Sequence, residues 1–369
     1  MPELFLLFGA GLLASFVPGL PSFRTDPNLV LNLFLPPLLY ASTVRVSWHL
    51  LRFAWLPGIV LGAALVLATI GAVAVVARVF LSGMSWPTAL LLGIVVSVFD
   101  TRLFHEAKGR ARVPRAIADT LKARELVARI IILASFSLVI EAAMSGKASV
   151  GLVLDRFLFD IPAGVLLGFA VGHAVAWARQ RIDPAPVEIA VSMATPYAAA
   201  LAAHALGVSI VAAITTAALV ISAVRIDRRT GAPISSSETR VSATAFWEEI
   251  SLMISSALFF LAGWALPEAL AGLEAWQPSR LGAAALGILL VVVGVQFAFS
   301  FAATLLSPLA GSLAARAVGG RSAAAAVMAW GSTRSVLGII IALAIPAALP
   351  DGRPFPDRDL VLLVGRSSS

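Results

Sequence analysis

Residues 88–102 read TALLLGIVVSVFDTR. The apolar run from Thr88 to Phe99 is twelve residues long and stops at Asp100, with Thr101, Arg102 and His105 close behind. A helix needs about 20 apolar residues to cross the hydrocarbon core of a bilayer, so this run reads as half of a broken helix. A second interruption lies far along the chain, where Trp330-Gly331-Ser332-Thr333-Arg334-Ser335 falls in the middle of the apolar stretch 323–349. Two interrupted segments are the pattern expected of secondary transporters, whose discontinuous helices place their half-helix ends at a site near the membrane midplane. Close helix packing is the alternative use for Gly331 and the hydroxyls. Packing, however, does not call for an arginine, which is costly to hold inside a membrane.

Around these two segments the chain is apolar throughout. Its 369 residues are 59% hydrophobic and only 13% charged, with a mean hydropathy of +0.94, whereas soluble domains carry roughly a quarter of their residues as charges. Apolar runs recur at 4–17, 29–44, 53–77, 88–99, 130–143, 161–178, 187–205, 208–224, 250–266, 281–306 and 323–349, each bounded by Pro, Gly or charge. The reading is one all-α transmembrane domain spanning 1–369, a polytopic bundle of about eleven helices. No room is left for a large soluble domain. The formal charge of +7 therefore belongs to loop anchors and not to a nucleic-acid surface. No Cys is present, which excludes disulfides, thiolate metal sites and thiol nucleophiles. Met1, Pro2 and Glu3 lack the basic start of a signal peptide, so the run 4–17 is expected to be retained as a helix.

Loop charge supplies an orientation. With the loops numbered in order and Lys122, Arg124 and Arg129 counted with the helix they lead into, even-numbered loops hold fifteen Lys and Arg, including Arg179 and Arg181, and odd-numbered loops hold five. Basic residues accumulate on the cytoplasmic side, which places the chain start inside and the segment after residue 349 outside. The cluster from Arg102 to Arg115 is then an inner-loop anchor.

Ionisable groups within or beside the spans are the functional candidates. Asp100 and Arg334 mark the two interruptions, while Arg124, Glu125 and Arg129 precede the run 130–143. Glu125 and Arg129 are four apart, in the order that favours pairing on a helix. Glu248 and Glu249 open the ninth run, where complementing a helix N-terminus and a functional role are both open. Asp155, Arg156 and Asp160 lie near a helix start and are expected at the interface. His49, His105, His173 and His204 are scattered and lack metal-ligand spacing. His204 with Ser209 could suggest an intramembrane serine hydrolase, but no further base or oxyanion donor accompanies them. No cofactor is expected.

Leu35-Pro36-Pro37-Leu38-Leu39-Tyr40 resembles the L-P-P-L-L-[FY] motif of the monovalent cation:proton antiporter family, the bacterial and eukaryotic sodium/proton exchangers. The likeness continues through Ser97 to Asp100, Arg240 to Glu248, and Trp330 to Arg334, and covers nearly the whole chain. It implies two inverted repeats with two discontinuous helices, and exchange of Na⁺ or K⁺ for H⁺ across the cytoplasmic membrane. Monovalent cations, protons, the lipid bilayer and a second copy in a homodimer are the implied partners. The family also carries a further helix at each end, beyond what this sequence supplies.

In the family, a Thr-Asp-Pro motif on the discontinuous helix is followed by Gly-Glu-Ser and then Asn-Asp, the two aspartates exchanging a proton for a cation. Val113-Pro114 fixes the register without gaps. Asp100 is then the first aspartate, flanked by Phe99 and Thr101 in place of Thr and Pro. Gly-Glu-Ser falls on Ala123-Arg124-Glu125 and Asn-Asp on Ala128-Arg129, so the second aspartate is an arginine. The late arginine of the family is kept as Arg334, with Thr333 beside it. Asp100 remains as the candidate ligand for a monovalent cation, and Glu125 as a second carboxylate that could compensate or simply neutralise Arg129. A guanidinium is always charged. Arg129 would therefore place a positive charge at the cation position, hold Asp100 ionised and suppress proton exchange. The alternative to an antiporter is a transport-inactive homologue or fragment acting as a membrane scaffold, in which Asp100, Glu125, Arg129 and Arg334 form a closed charge network.

Overall fold

The computed structural model describes residues 2–17, 30–44, 46, 48–81, 83–100, 115–145, 156–181, 185–224, 237–267, 277–306, 326, 329, 333–334, 336–346, 353, 355, 358 and 360–361. Among them are eleven α-helices: α1 (Pro2–Ala14), α2 (Leu35–Thr43), α3 (Trp48–Phe80), α4 (Trp86–Ser97), α5 (Arg115–Ser145), α6 (Ile161–Arg179), α7 (Ala185–Leu206), α8 (Ile210–Ala223), α9 (Ser237–Trp264), α10 (Pro278–Leu306) and α11 (Val336–Leu343). Each of the eleven apolar runs overlaps one. Six stretches are long and apolar enough to cross a membrane, in α3, α5, α6, α7, α9 and α10; α4 and α8 are shorter apolar helices.

Helix ends follow from local chemistry. Ser85 caps α4 by accepting from the Thr88 N–H at 3.3 Å, with Pro87 in the first turn where its missing N–H costs nothing. Ser209 caps α8 in the same way through Ala212 N–H at 3.3 Å. Gly207, at φ +68°, ends α7: its N–H reaches the His204 carbonyl and Val208 N–H the Ala203 carbonyl, the left-handed C-terminal cap that glycine adopts without strain. The prolines at 36 and 37 and at 162 are each preceded by a five-residue turn of wider π-type helix, Val30–Phe34 and Arg156–Asp160. Proline removes a donor and crowds the preceding turn, and the wider turn supplies the room.

The chain divides into two compact units, one of Met1–Leu4, Thr25–His49 and Ala148–Leu258, the other of Phe5–Arg24, Leu50–Lys147 and Phe259–Ser369. In the first, α6 packs on α8 through Gly164, Gly168, Gly172 and Ala176, all buried, while Leu166, Phe169 and Trp177 on the other faces are exposed. A methyl on Gly164 would meet the Ser209 carbonyl at 2.6 Å, and one on Gly172 would meet Val220 Cβ at 2.7 Å. Small residues every fourth position let two backbones touch, which is how helices associate where lipid offers no hydrophobic drive.

In the second unit α4 packs against both α5 and α11. Gly93 of α4 lies against the backbone of Ile70 in α3, and Gly338 of α11 would place a methyl 3.2 Å from the Val95 carbonyl of α4. After α4 the backbone becomes extended at β1 (Phe99–Asp100), and just before α11 it is extended at β2 (Thr333–Arg334). The two pair antiparallel, Phe99 opposite Arg334 and Asp100 opposite Thr333. Both expected breaks are therefore present, and their extended backbones pair with one another. The pairing has a physical reason: unwound backbone at membrane depth is tolerated only where its N–H and C=O groups find partners within the protein.

Candidate functional site

The pairing of β1 with β2 brings the backbones of Asp100, Thr333 and Arg334 together; their side chains lie outside the described residues. Arg102, His105 and the rest of the Arg102 to Arg115 cluster up to Pro114 lie outside them as well. The other expected members are on α5, which packs on α4. Glu125 and Arg129, each 7% exposed, form a buried ion pair one turn apart, Arg129 Nη2 donating to Glu125 Oε1. This is the pairing that their spacing predicts.

Arg124 was a lesser candidate in the sequence, yet it is the most buried of the three at 3% exposure. Its Nη1 points to Ser300 Oγ of α10 at 3.5 Å. Behind it, Gly62 of α3 approaches so closely that a methyl there would lie 3.0 Å from the Arg124 carbonyl and 3.3 Å from its Cγ. Two buried arginines and one buried carboxylate thus share one stretch of a helix that is long and apolar enough to cross a membrane. The closed network expected from Asp100, Glu125, Arg129 and Arg334 did not include Arg124, which lies in the same buried stretch of α5.

A second polar cluster lies in the first unit. Trp247 Nε1 donates to Ser192 Oγ at 3.0 Å, the Tyr40 hydroxyl shares a hydrogen bond with the same oxygen at 3.2 Å, and the Tyr40 and Trp247 rings pack at 4.8 Å. Tyr40 and Trp247 belong to two of the motifs that carry the family resemblance, and Ser192 joins them. Pro196, four residues on in α7, cannot donate to the Ser192 carbonyl, which loosens the helix at this point. Glu188, 4% exposed, pairs with Arg179. Glu188 and Ser192 were not singled out in the sequence. An acidic residue in the first turn of an apolar helix, nine residues after a basic helix end, was the signal available.

Two expectations are corrected. Glu248 and Glu249 do not open a helix: α9 begins at Ser237, and both are exposed in its interior. Arg179 is not simply a loop anchor, because Glu188 pairs with it. Ser209 is a helix cap and His204 is exposed, so the hydrolase pairing has no geometric basis. Asp160 is partly exposed and its carbonyl accepts from Ser209 N–H at 3.1 Å, a structural role.

The sodium/hydrogen exchanger transmembrane family model matches residues 1–365. The chain belongs to the sodium/hydrogen exchanger family. An uncharacterized Na⁺/H⁺ exchanger of Mycobacterium bovis is 31% identical over 367 residues, 97% of this chain and 65% of that protein. The low-affinity Na⁺/H⁺ antiporter NhaS1 of Synechocystis is 23% identical over 373 residues, again 97% of this chain and 65% of that one. This exchanger-family chain thus spans 65% of the length of these relatives. The solved structure of the sodium proton antiporter MjNhaP1 from Methanocaldococcus jannaschii superposes with a TM-score of 0.67 at 17% identity, covering 99% of this chain and 89% of that one. The fold is therefore the all-helical, polytopic transmembrane bundle of that antiporter.

Proposed function

We propose that this chain is a multi-pass protein of the cytoplasmic membrane that keeps the scaffold of Na⁺ or K⁺ exchange for H⁺ but exchanges these ions weakly or not at all. The observation that supports this is the buried Glu125–Arg129 ion pair. A monovalent cation needs oxygen ligands and negative charge, and the carboxylate next to Arg129 is engaged in neutralising a guanidinium that cannot lose its proton. Asp100 is the remaining carboxylate at the paired segments, with Thr333 and Arg334 as its supports. The lipid bilayer and a second copy of the chain are its partners.

A second reading is favoured by the antiparallel pairing of β1 and β2 at Asp100 and Thr333: an active antiporter in which Asp100 and Glu125 are the coupling carboxylates. The two separate in proteoliposomes carrying a pH-sensitive dye. The expected result is no saturable proton movement on adding Na⁺ or K⁺. Robust, saturable dequenching would overturn the first reading, and Glu125→Ala combined with Asp100→Asn should then abolish it.

A further inference from the structure

One exposed face of α6 changes character step by step towards the end of the helix. Val165, Phe169, His173, Trp177 and Arg181 follow one another at intervals of four through α6 and the turn that ends it, and all are exposed, so they form one stripe. We propose that this stripe binds one anionic phospholipid, with its phosphate held by Arg181 beside Trp177. Long basic side chains at the end of a span ordinarily reach outward to water. Arg181 turns back instead: Nη1 donates to the Trp177 carbonyl at 3.1 Å, and Cζ lies 3.6 Å from the centre of the Trp177 ring. Its charge therefore stands about one turn further into the span than its place in the chain requires. Glu188 is engaged by Arg179, and among the described residues no carboxylate pairs with Arg181. Its remaining N–H groups form the fork that matches phosphate oxygens, at the level where tryptophan itself anchors to headgroups.

Depth along the stripe leads to the same ligand. Four residues deeper, about 6 Å, His173 Nδ1 lies 2.9 Å from the Phe169 carbonyl. A carbonyl only accepts, so in the neutral ring Nδ1 carries the proton and Nε2 keeps a lone pair. A bare ring nitrogen facing hydrocarbon is costly. The glycerol and ester groups of a phospholipid, with the water they hold, lie just below its phosphate and meet the imidazole at that depth. Deeper again, the Phe169 ring packs 4.1 Å from the imidazole, and Phe169, Leu166 and Val165 offer only carbon to an acyl chain. A free phosphate would use the first of these three levels alone. On the orientation expected from loop charge this is the cytoplasmic end of α6, where the membrane surface is negative. A zwitterionic lipid brings its own cation beside the phosphate and gains less from Arg181. The site is independent of whether α5 supports ion exchange.

The test is thermal unfolding of the purified full chain in non-ionic detergent, titrated with phosphatidylglycerol or phosphatidylcholine, with gel filtration alongside. Phosphatidylglycerol should raise the melting temperature saturably by about 2–4 °C, phosphatidylcholine by less, and soluble glycerol phosphate not at all. Arg181→Gln should raise the half-saturating phosphatidylglycerol concentration about fivefold, as expected for one basic side chain at an anionic lipid surface. Trp177→Leu, which keeps the charge, should weaken the response as well. Arg78 lies over the exposed Trp86 ring, but the positions four and eight before it, Ala74 and Ile70, are buried. Arg78→Gln removes the same charge where no such stripe exists, and should change the half-saturating concentration by less than about twofold. Equal weakening by Arg181→Gln and Arg78→Gln would reduce the effect to general charge attraction and overturn the site. An equal response to phosphatidylcholine or to glycerol phosphate would overturn it too. If Trp177→Leu or Arg181→Gln instead breaks a dimer that forms without lipid, the face is a contact between copies and the lipid site falls.

Discussion

Along α6 the buried positions are Gly164, Gly168, Gly172 and Ala176, whereas along α5 they include Arg124, Glu125 and Arg129. Both helices are apolar enough to span a membrane. On α6 the contact is made by removing side chains until the backbone of α8 can touch, and nothing in it bears charge. On α5 the contact carries long ionic side chains, with Gly62 of α3 giving up its own side chain so that Arg124 fits. The first arrangement satisfies packing alone. The second accepts desolvated charge, which packing does not require, and in a membrane such charge points to function.

Removing one charge from α5 should have the largest effect. Glu125→Ala deletes the carboxylate that faces Arg129 and leaves two buried guanidinium groups on adjoining turns. Breaking a buried pair in this way costs about 3–5 kcal/mol, comparable with the whole stability of a small domain. The expected outcome is a large fall in melting temperature in detergent, or loss of the monodisperse peak on gel filtration. A near-native melting temperature would mean that the pair does not hold α5.

A single methyl on α6 should have a smaller effect. At Gly168 it would run into the Ala213 carbonyl and would stand 2.8 Å from Thr216 Cβ. Overpacking of this kind typically costs about 1–3 kcal/mol, because backbone atoms cannot turn aside as a side chain can. Gly168→Ala should lower the melting temperature moderately, and Gly71→Ala, where no atom lies within 4 Å of the added carbon, should not. If the two behaved alike, the close contact of α6 with α8 would not matter.

The same contrast explains what was legible in the sequence. Every apolar run overlaps a helix, and the breaks at Asp100 and at Thr333-Arg334 are where glycine, hydroxyl and charge interrupt the pattern. The start of α5 was hidden. Its apolar run begins at Ile130, yet the helix begins at Arg115, because Glu125 and Arg129 neutralise one another across a turn and hydropathy counts them as loop. The glycine series of α6 was overlooked since glycine counts as weakly apolar in a run, and its meaning lies in its period of four. Arg124 looked like one charge among several; only its contact with Ser300, 176 positions away, sets it apart. Ser192 had no local signal at all, because its importance comes from Tyr40 and Trp247 on other helices.

The smallest expected effect comes from making α5 resemble α6. Replacing both members of the pair, Glu125→Leu with Arg129→Leu, removes two opposite charges together and leaves apolar side chains of moderate volume in their place. Desolvation of two ions and their mutual attraction nearly cancel in a buried pair, so such replacements are often neutral or stabilising. The double variant should therefore unfold within about 1 kcal/mol of the native protein, although Glu125→Ala alone is severely destabilised. The difference is the coupling between the two residues, measured by completing the cycle with Arg129→Ala, Glu125→Ala and their double alanine variant. If the leucine pair proves as damaging as Glu125→Ala, Arg129 or Glu125 is needed by a third group, and the ion pair is part of a larger network. If it is neutral, stability does not require the pair, and its presence on a buried helix must be explained by what the site binds.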